Sequence, residues 1–244
     1  MAVDKLVDST QLNSDLTSVA NAIRTKGGTS GQLAFPAGFV SAVEAIETGG
    51  GGFDLDAYVK SSPTAPAGDF TLTATHIRDY ALAYLEGNPA FSLYGPNVTY
   101  IGQNAFRQCR MLTKARFPRL TEHHNTSYIF YQPTSGTRSL QLVDWGLDNV
   151  PGNWVYNCVN LKTIILRKTT VASLQNVNAI TGTPFKSGGT GGTIYIPKAL
   201  YDHLGDGSSS DYKAATNWST VDGYGTITWA QLEGSIYEDP DGDW

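Results

Sequence analysis

The sequence predicts an α+β chain: a short β-rich solenoid of stacked repeats, preceded by a helical hairpin and closed by a capping segment. Three observations carry this expectation. The segments IGQNAFRQCRMLTKARF (101–117) and VPGNWVYNCVNLKTIIL (150–166) match in register, Ile101 with Val150, Phe106 with Val155, Cys109 with Cys158, Leu112 with Leu161, Ala115 with Ile164 and Phe117 with Leu166. Apolar positions repeating in register mark units that bury a core only by lying on one another. Glycines fill positions 49–52, the clearest boundary in the chain. Finally, charged residues are only 16% while glycine numbers 26 and tyrosine 13, a composition of turns, backbone ladders and aromatic packing.

Taken in order, residues 1–48 read as two short helices. Ser14 is the N-cap of the first, Asp15 sits in its first turn, and Leu16, Val19, Ala20 and Ile23 form one apolar stripe. Gly27 and Gly28 stop it, and Pro36 opens a second helix with Phe39, Val43 and Ile46 on one face. So short a hairpin buries little core by itself. Leu16, Val19, Ile23, Phe39, Val43 and Ile46 are therefore expected to anchor it to something larger. Residues 49–69, rich in Gly and Pro, read as a linker.

The solenoid is expected over residues 70–186, starting with the alternating strand FTLT at 70–73. Two weaker copies of the template fit at 77–93 and 129–145, so the units begin 24, 28 and 21 residues apart. In the first, Phe91 and Leu93 stand for Ala115 and Phe117, and Asn88 replaces Leu112. In the second, Ile129 stands for Ile101, and Pro133-Thr134 replaces the Ala-Phe pair. Each unit ends in a strand that points Ala115/Phe117, Val143/Trp145 or Ile164/Leu166 inward and Lys114, Arg116, Asp144 and Ile165 outward. Cys109 and Cys158 share one repeat position, which favours buried thiols over a disulfide. Residues 187–244 form a distinct piece: SGGTGG, the strand TIYIP, helical turns at KALYDHL and 208–218 with Ser210 or Asp211 as cap, TITW, and an acidic tail. A repeat stack needs atypical ends over its last open layer, and this piece suits that role.

Ile101, Gly102, Ala105, Phe106, Cys109, Leu112, Ala115, Phe117 and Pro118 fill the pattern of the BspA-type leucine-rich repeat, which the 101–117 and 150–166 units resemble. The stretch 183–219 resembles the closing segment common in such proteins. SVANAIRTKGGTSGQLAFPAGFVSAVEAI (18–46) is similar to a module at the start of virion and tail-associated proteins of bacteriophages that infect Gram-positive bacteria. These resemblances imply a repeat solenoid carried on a phage particle.

Motifs for chemistry are wanting. GGTGGT (188–193) precedes a strand and lacks the Lys-Ser/Thr of a phosphate loop. His123-His124 has no ligand spacing to Glu122 or His76, and the EDPDGD run (238–243) lacks the later Glu of a calcium loop. A glycan-cleaving enzyme needs paired carboxylates in one groove, and Asp144 and Asp148 are the isolated candidates. No catalytic residue, metal or cofactor is expected.

The net charge of −5 with 17 scattered basic residues argues against nucleic-acid binding. The N-terminus lacks the basic and apolar regions of a secretory leader, and no apolar run is long enough to insert in a membrane, so synthesis in a host cytoplasm and residence in a virion are expected. Aromatics crowd residues 94–156, and Tyr94, Tyr100, Tyr128, Tyr131 and Tyr156 are the candidate binding surface, because tyrosine offers rigid contact area with a polar handle. The function expected is a non-enzymatic tail- or fibre-associated virion protein for host attachment. Its partners would be other virion proteins through residues 1–48, copies of itself, and a host-surface glycan or protein. The alternatives are a capsid decoration or head fibre with a mainly structural role, and a bacterial surface adhesin.

Overall fold

The computed structural model describes residues 16–17, 68–85, 90–124 and 128–233. The chain divides into two units, Met1–Gly52 and Phe53–Trp244. In the first, Leu16 and Thr17 are helical, with Leu16 half-buried. The expected hairpin, its residues Val19, Ile23, Phe39, Val43 and Ile46, the linker before residue 68 and the acidic run 238–243 lie outside the described residues.

Long and short strands alternate along the second unit. The long ones are β1 (Gly68–Thr71), β3 (Phe91–Tyr94), β5 (Leu112–Phe117), β7 (Leu142–Trp145), β9 (Thr163–Leu166), β11 (Gly192–Pro197) and β12 (Ile227–Leu232). The short ones are β2 (His76–Ile77), β4 (Tyr100–Ile101), β6 (Glu122–His123), β8 (Asn149–Val150) and β10 (Ser173–Leu174). The long strands make one parallel seven-stranded sheet in chain order, and the short ones make two small parallel sheets, β2-β4-β6 and β8-β10. Parallel neighbours need a crossover. Here the crossover is the coil itself, a short strand and two turns, which winds the chain into a β-solenoid of about four turns.

The pleat explains the core. Leu93, Ala115, Val143, Ile164 and Ile194 stand in register on successive long strands, all fully buried. Phe117, Trp145 and Leu166 form the next inward row. Aromatic rings fill the interior behind them: Phe106 stacks on Phe130 with centroids 5.3 Å apart, and Trp145 lies 5.2 Å from Trp154. Cys109 and Cys158 are free and buried in this core, and the Cys158 thiol meets the Phe130 carbonyl at 3.1 Å.

The pairing of 101–117 with 150–166 holds on the long strands, since Ala115 faces Val143 and Val143 faces Ile164. Each weaker copy keeps the expected register over half of its length, Ile77 pairing with Ile101, and Val143 and Trp145 with Ala115 and Phe117, while the other half slips. Leu93 pairs with Ala115 and Phe91 with Leu112, across an irregularity between Phe91 and Ser92. In the third coil Ile101 pairs with His123, while the Phe106 amide donates to the Ile129 carbonyl and the Phe130 amide to the Trp154 carbonyl. Ile129-Phe130 is thus the counterpart of Ala105-Phe106, and Pro133-Thr134 belongs to an added loop. The chain absorbs extra residues at the corners, where no ladder fixes its length.

The outward face of the long sheet is also corrected. Arg116, Asp144 and Ile165 alternate with the inward residues but are 1%, 0% and 0% exposed. Ile165 joins Leu142 and Leu232, with Tyr195 packed on them, in a second apolar cluster. Parallel sheets are characteristically buried on both faces, and a strand such as TIIL, apolar at successive positions, fits that rule. Asp144 sits between Arg116 of β5 and Arg167 just past the end of β9, accepting from Arg167 through Nε (2.7 Å) and Nη2 (2.6 Å) and from Arg116 Nε (3.3 Å).

The C-terminal stretch continues the same sheet. β11 pairs in parallel with β9 and β12 with β11. Two short helices lie between them, α1 (Lys198–Tyr201) and α2 (Trp218–Asp222). The helical turn expected over 208–218 is a run of turns in which the Asp211 carboxylate accepts from the Gly207 and Lys213 amides, and the helix begins only at Trp218. Trp218 and Tyr212 are fully buried, and their Nε1 and hydroxyl bond the Ala172 carbonyl and amide.

Candidate functional site

The turn that follows each short strand forms a third side of the coil, held by its own ladder. Amides of Leu82, Phe106, Phe130 and Val155 donate to Ala105, Ile129, Trp154 and Ala179 in succession. Residues one step along, Arg107, Tyr131 and Tyr156, therefore occupy one outward column.

On that column the Tyr131 and Tyr156 rings stack at 5.6 Å, and Tyr128 meets Tyr131 edge-on at 5.4 Å. The Arg107 guanidinium carbon lies 5.7, 5.3 and 5.4 Å from the ring centres of Tyr84, Tyr128 and Tyr131. Its Nε is buried with no hydrogen-bond partner among the described residues. Rings around a guanidinium hold it through their quadrupoles, at about 0.5–1 kcal/mol per exposed contact. The result is a pre-ordered strip of phenol rings across neighbouring coils, with Tyr84 and Tyr128 exposed at 51% and 38%.

The backbone under this strip is unusual. Tyr80 and Asn104 have φ of 57° and 53° at one repeat position, and Tyr84, Gln108 and Asn157 have 62°, 57° and 62° at another. The left-handed region costs a side chain with a Cβ about 1–2 kcal/mol, least for Asn. Asn104 and Asn157 are the low-cost solution. Tyr80 and Tyr84 are the expensive one, and both project into solvent.

Of the five tyrosines expected to form a surface, Tyr128, Tyr131 and Tyr156 meet on this side. Tyr94 lies at the end of β3, its ring 5.4 Å from the Arg116 guanidinium. Tyr100 lies on β4 beside His76, and burial, then the charges of Asp79 and Glu122, push its hydroxyl pKa up. Sequence reasoning missed Tyr80, Tyr84 and Arg107. The signal was present for Tyr84 and Arg107, each one or two places after the Ala-Leu or Ala-Phe pair of its unit.

Other candidates resolve into structure. His123 lies 6.1 Å from the Trp145 ring, its Nδ1 against the His124 carbonyl at 2.7 Å. Burial pushes the Cys109 thiol up to about 12, with a backbone hydrogen bond to Leu112 opposing, and moves Cys158 in the same direction. Thiols so held are protonated near neutrality and poor nucleophiles. Asp144 is sealed between its arginines while Asp148 lies exposed in the following turn, so the two share no groove. Among the described residues no three His, Cys, Asp or Glu side chains are grouped to hold a metal, and no helix is long and apolar enough to cross a membrane. No family model matches the chain, nor does any curated protein or solved structure.

Proposed function

We propose that this protein is a non-enzymatic recognition module of a bacteriophage virion, tail- or fibre-associated, whose solenoid is of the BspA leucine-rich type and whose tyrosine strip binds a glycan on the host surface. Residues 1–48 would attach it to the particle, and the stretch 187–233 would act as the closing cap of the stack. The observation that carries this reading is the strip itself: Tyr84, Tyr128 and Tyr131 ordered about Arg107 and Tyr156 stacked on Tyr131, with Tyr84 kept at a left-handed position that asparagine fills at lower cost. Strain retained under exposed side chains is a pointer to function. Phenol faces suit the apolar faces of sugar rings, and rings repeated on successive coils suit a repetitive polymer. Many such sites on one particle would give avidity from weak single contacts.

The test is binding of the full chain to host cells and to purified wall glycans, with Tyr84→Ala and Tyr128→Ala beside it. The pair should lose about 30-fold in affinity, the size of an interface hot spot, with the fold unchanged by circular dichroism. Phage lacking residues 1–48 of this protein should assemble without it. Loss of incorporation with binding indifferent to both tyrosines would move the role to capsid decoration.

A further inference from the structure

A second feature lies on a different corner of the coil, the turn that follows the long strands. Phe117, Trp145 and Leu166 stand in register, so the next residues, Pro118, Gly146 and Arg167, begin three neighbouring turns. The outer two carry cations, Arg119 on one and Arg167-Lys168 on the other. The middle one has Gly146, and no side chain fits there: a Cβ would stand 2.4 Å from the Pro118 carbonyl oxygen and 2.6 Å from the Leu120 nitrogen. A recessed coil between two raised ones leaves a cavity of about 610 Å³, lined by Arg119, Arg167, Lys168, Gly146, Thr121 and Thr169 among others, with no acidic residue in its wall among the described residues.

We propose that this notch binds a tetrahedral oxyanion carried on a small organic body, a phosphate or sulfate monoester. Arg119 and Lys168 line it together with Arg167, which shares the Asp144 carboxylate with Arg116, on a chain whose net charge is −5. Concave walls focus the field of like charges lining them. Arg167 is a fixed element of the wall, since it is 2% exposed and Asp144 grips its Nε and Nη2 at 2.7 and 2.6 Å. Held in this way it shapes the notch and adds to its positive field, while Arg119 and Lys168 are the side chains that would reach the ligand. Lys168 adds a point charge with no ion pair among the described residues. The volume falls among small-molecule sites rather than single-ion sites, hence the organic body.

The experiment is calorimetric titration of the full chain with glucose 6-phosphate, glucose 6-sulfate, inorganic phosphate and glucose at low and high salt. The esters should bind, glucose should not, and affinity should fall with salt. The phosphate and sulfate arms separate the two sources of the anion, and tighter binding of an ester than of inorganic phosphate confirms that the organic body is read. Arg119→Ala with Lys168→Ala should weaken ester binding at least tenfold while leaving attachment through the tyrosines untouched. Lys168→Gln alone should weaken it several-fold and keeps the test decisive if the double variant is unstable. Absence of ester binding, or equal affinity in the wild type and a folded Lys168→Gln variant, overturns the assignment.

Discussion

The complete coils, 101–117 and 150–166, and the interrupted coil between them reach the same core by different chain lengths. In the complete pair every inward residue keeps its spacing from short strand to long strand. In the middle coil His123 replaces the short-strand isoleucine, Phe130 takes the phenylalanine position and Val143 the alanine position, while the extra residues leave at the corners. The difference teaches that register in this solenoid is set side by side, through each ladder, and not by a fixed count along the chain. A repeat is read correctly from sequence only when all its corners have the standard length.

If the interrupted coil is as much a part of the core as the complete ones, removing its bulk costs as much. Trp145→Ala and Leu166→Ala occupy facing positions, and each should lose about 3–5 kcal/mol by urea denaturation. A much smaller loss for Trp145 would mark the middle coil as a loosely packed insert. Asp144→Ala removes the carboxylate that Arg116 and Arg167 share on the other face, and should cost a further about 3–5 kcal/mol, against near neutrality for Asp148→Ala.

The two cysteines test the complete coils alone. Below about pH 9 both folded and unfolded thiols are protonated and the full stability is present. Above it the unfolded thiol ionises while Cys109, raised to about 12, does not, so stability falls as pH rises. The slope is at most about 1.4 kcal/mol per pH unit per thiol. Denaturation midpoints between pH 8 and 11 should show it, and Cys109→Ala should remove its share. The smallest effects belong to the corners. Tyr80→Asn puts the residue of the next coil at the same left-handed position and should stabilise by about 0.5–1 kcal/mol. Excising residues 134–137, all exposed, should shift stability by less than about 1 kcal/mol, because closure entropy depends weakly on loop length.

What the sequence revealed follows from the same division. The inward alternation of Ala115/Phe117, Val143/Trp145 and Ile164/Leu166 and the burial of both thiols were legible, because a two-residue pleat and an apolar core leave their period in the chain. The register of the strand that ends 77–93 and of the first half of 129–145 was not, because a bulge and corner insertions break the period without touching the ladder. Nor was the burial of Arg116, Asp144 and Ile165, since alternation assigns a face but not what lies over it. Three tyrosines of the strip were picked out by composition. Arg107 was passed over because a lone arginine in Phe-Arg-Gln reads as a solvated residue, and only stacking reveals the rings above and below it.

The ladders bind each coil to its two neighbours and to nothing more distant. Chain opening in such an array is a zipper: a terminal coil peels with one interface lost, an interior coil only with two. Amide exchange should accordingly be graded, slowest in β5, β7 and β9 and fastest in β1. Pulled from the N-terminus, a solenoid of this kind yields coil by coil, giving slack under load instead of failing all at once.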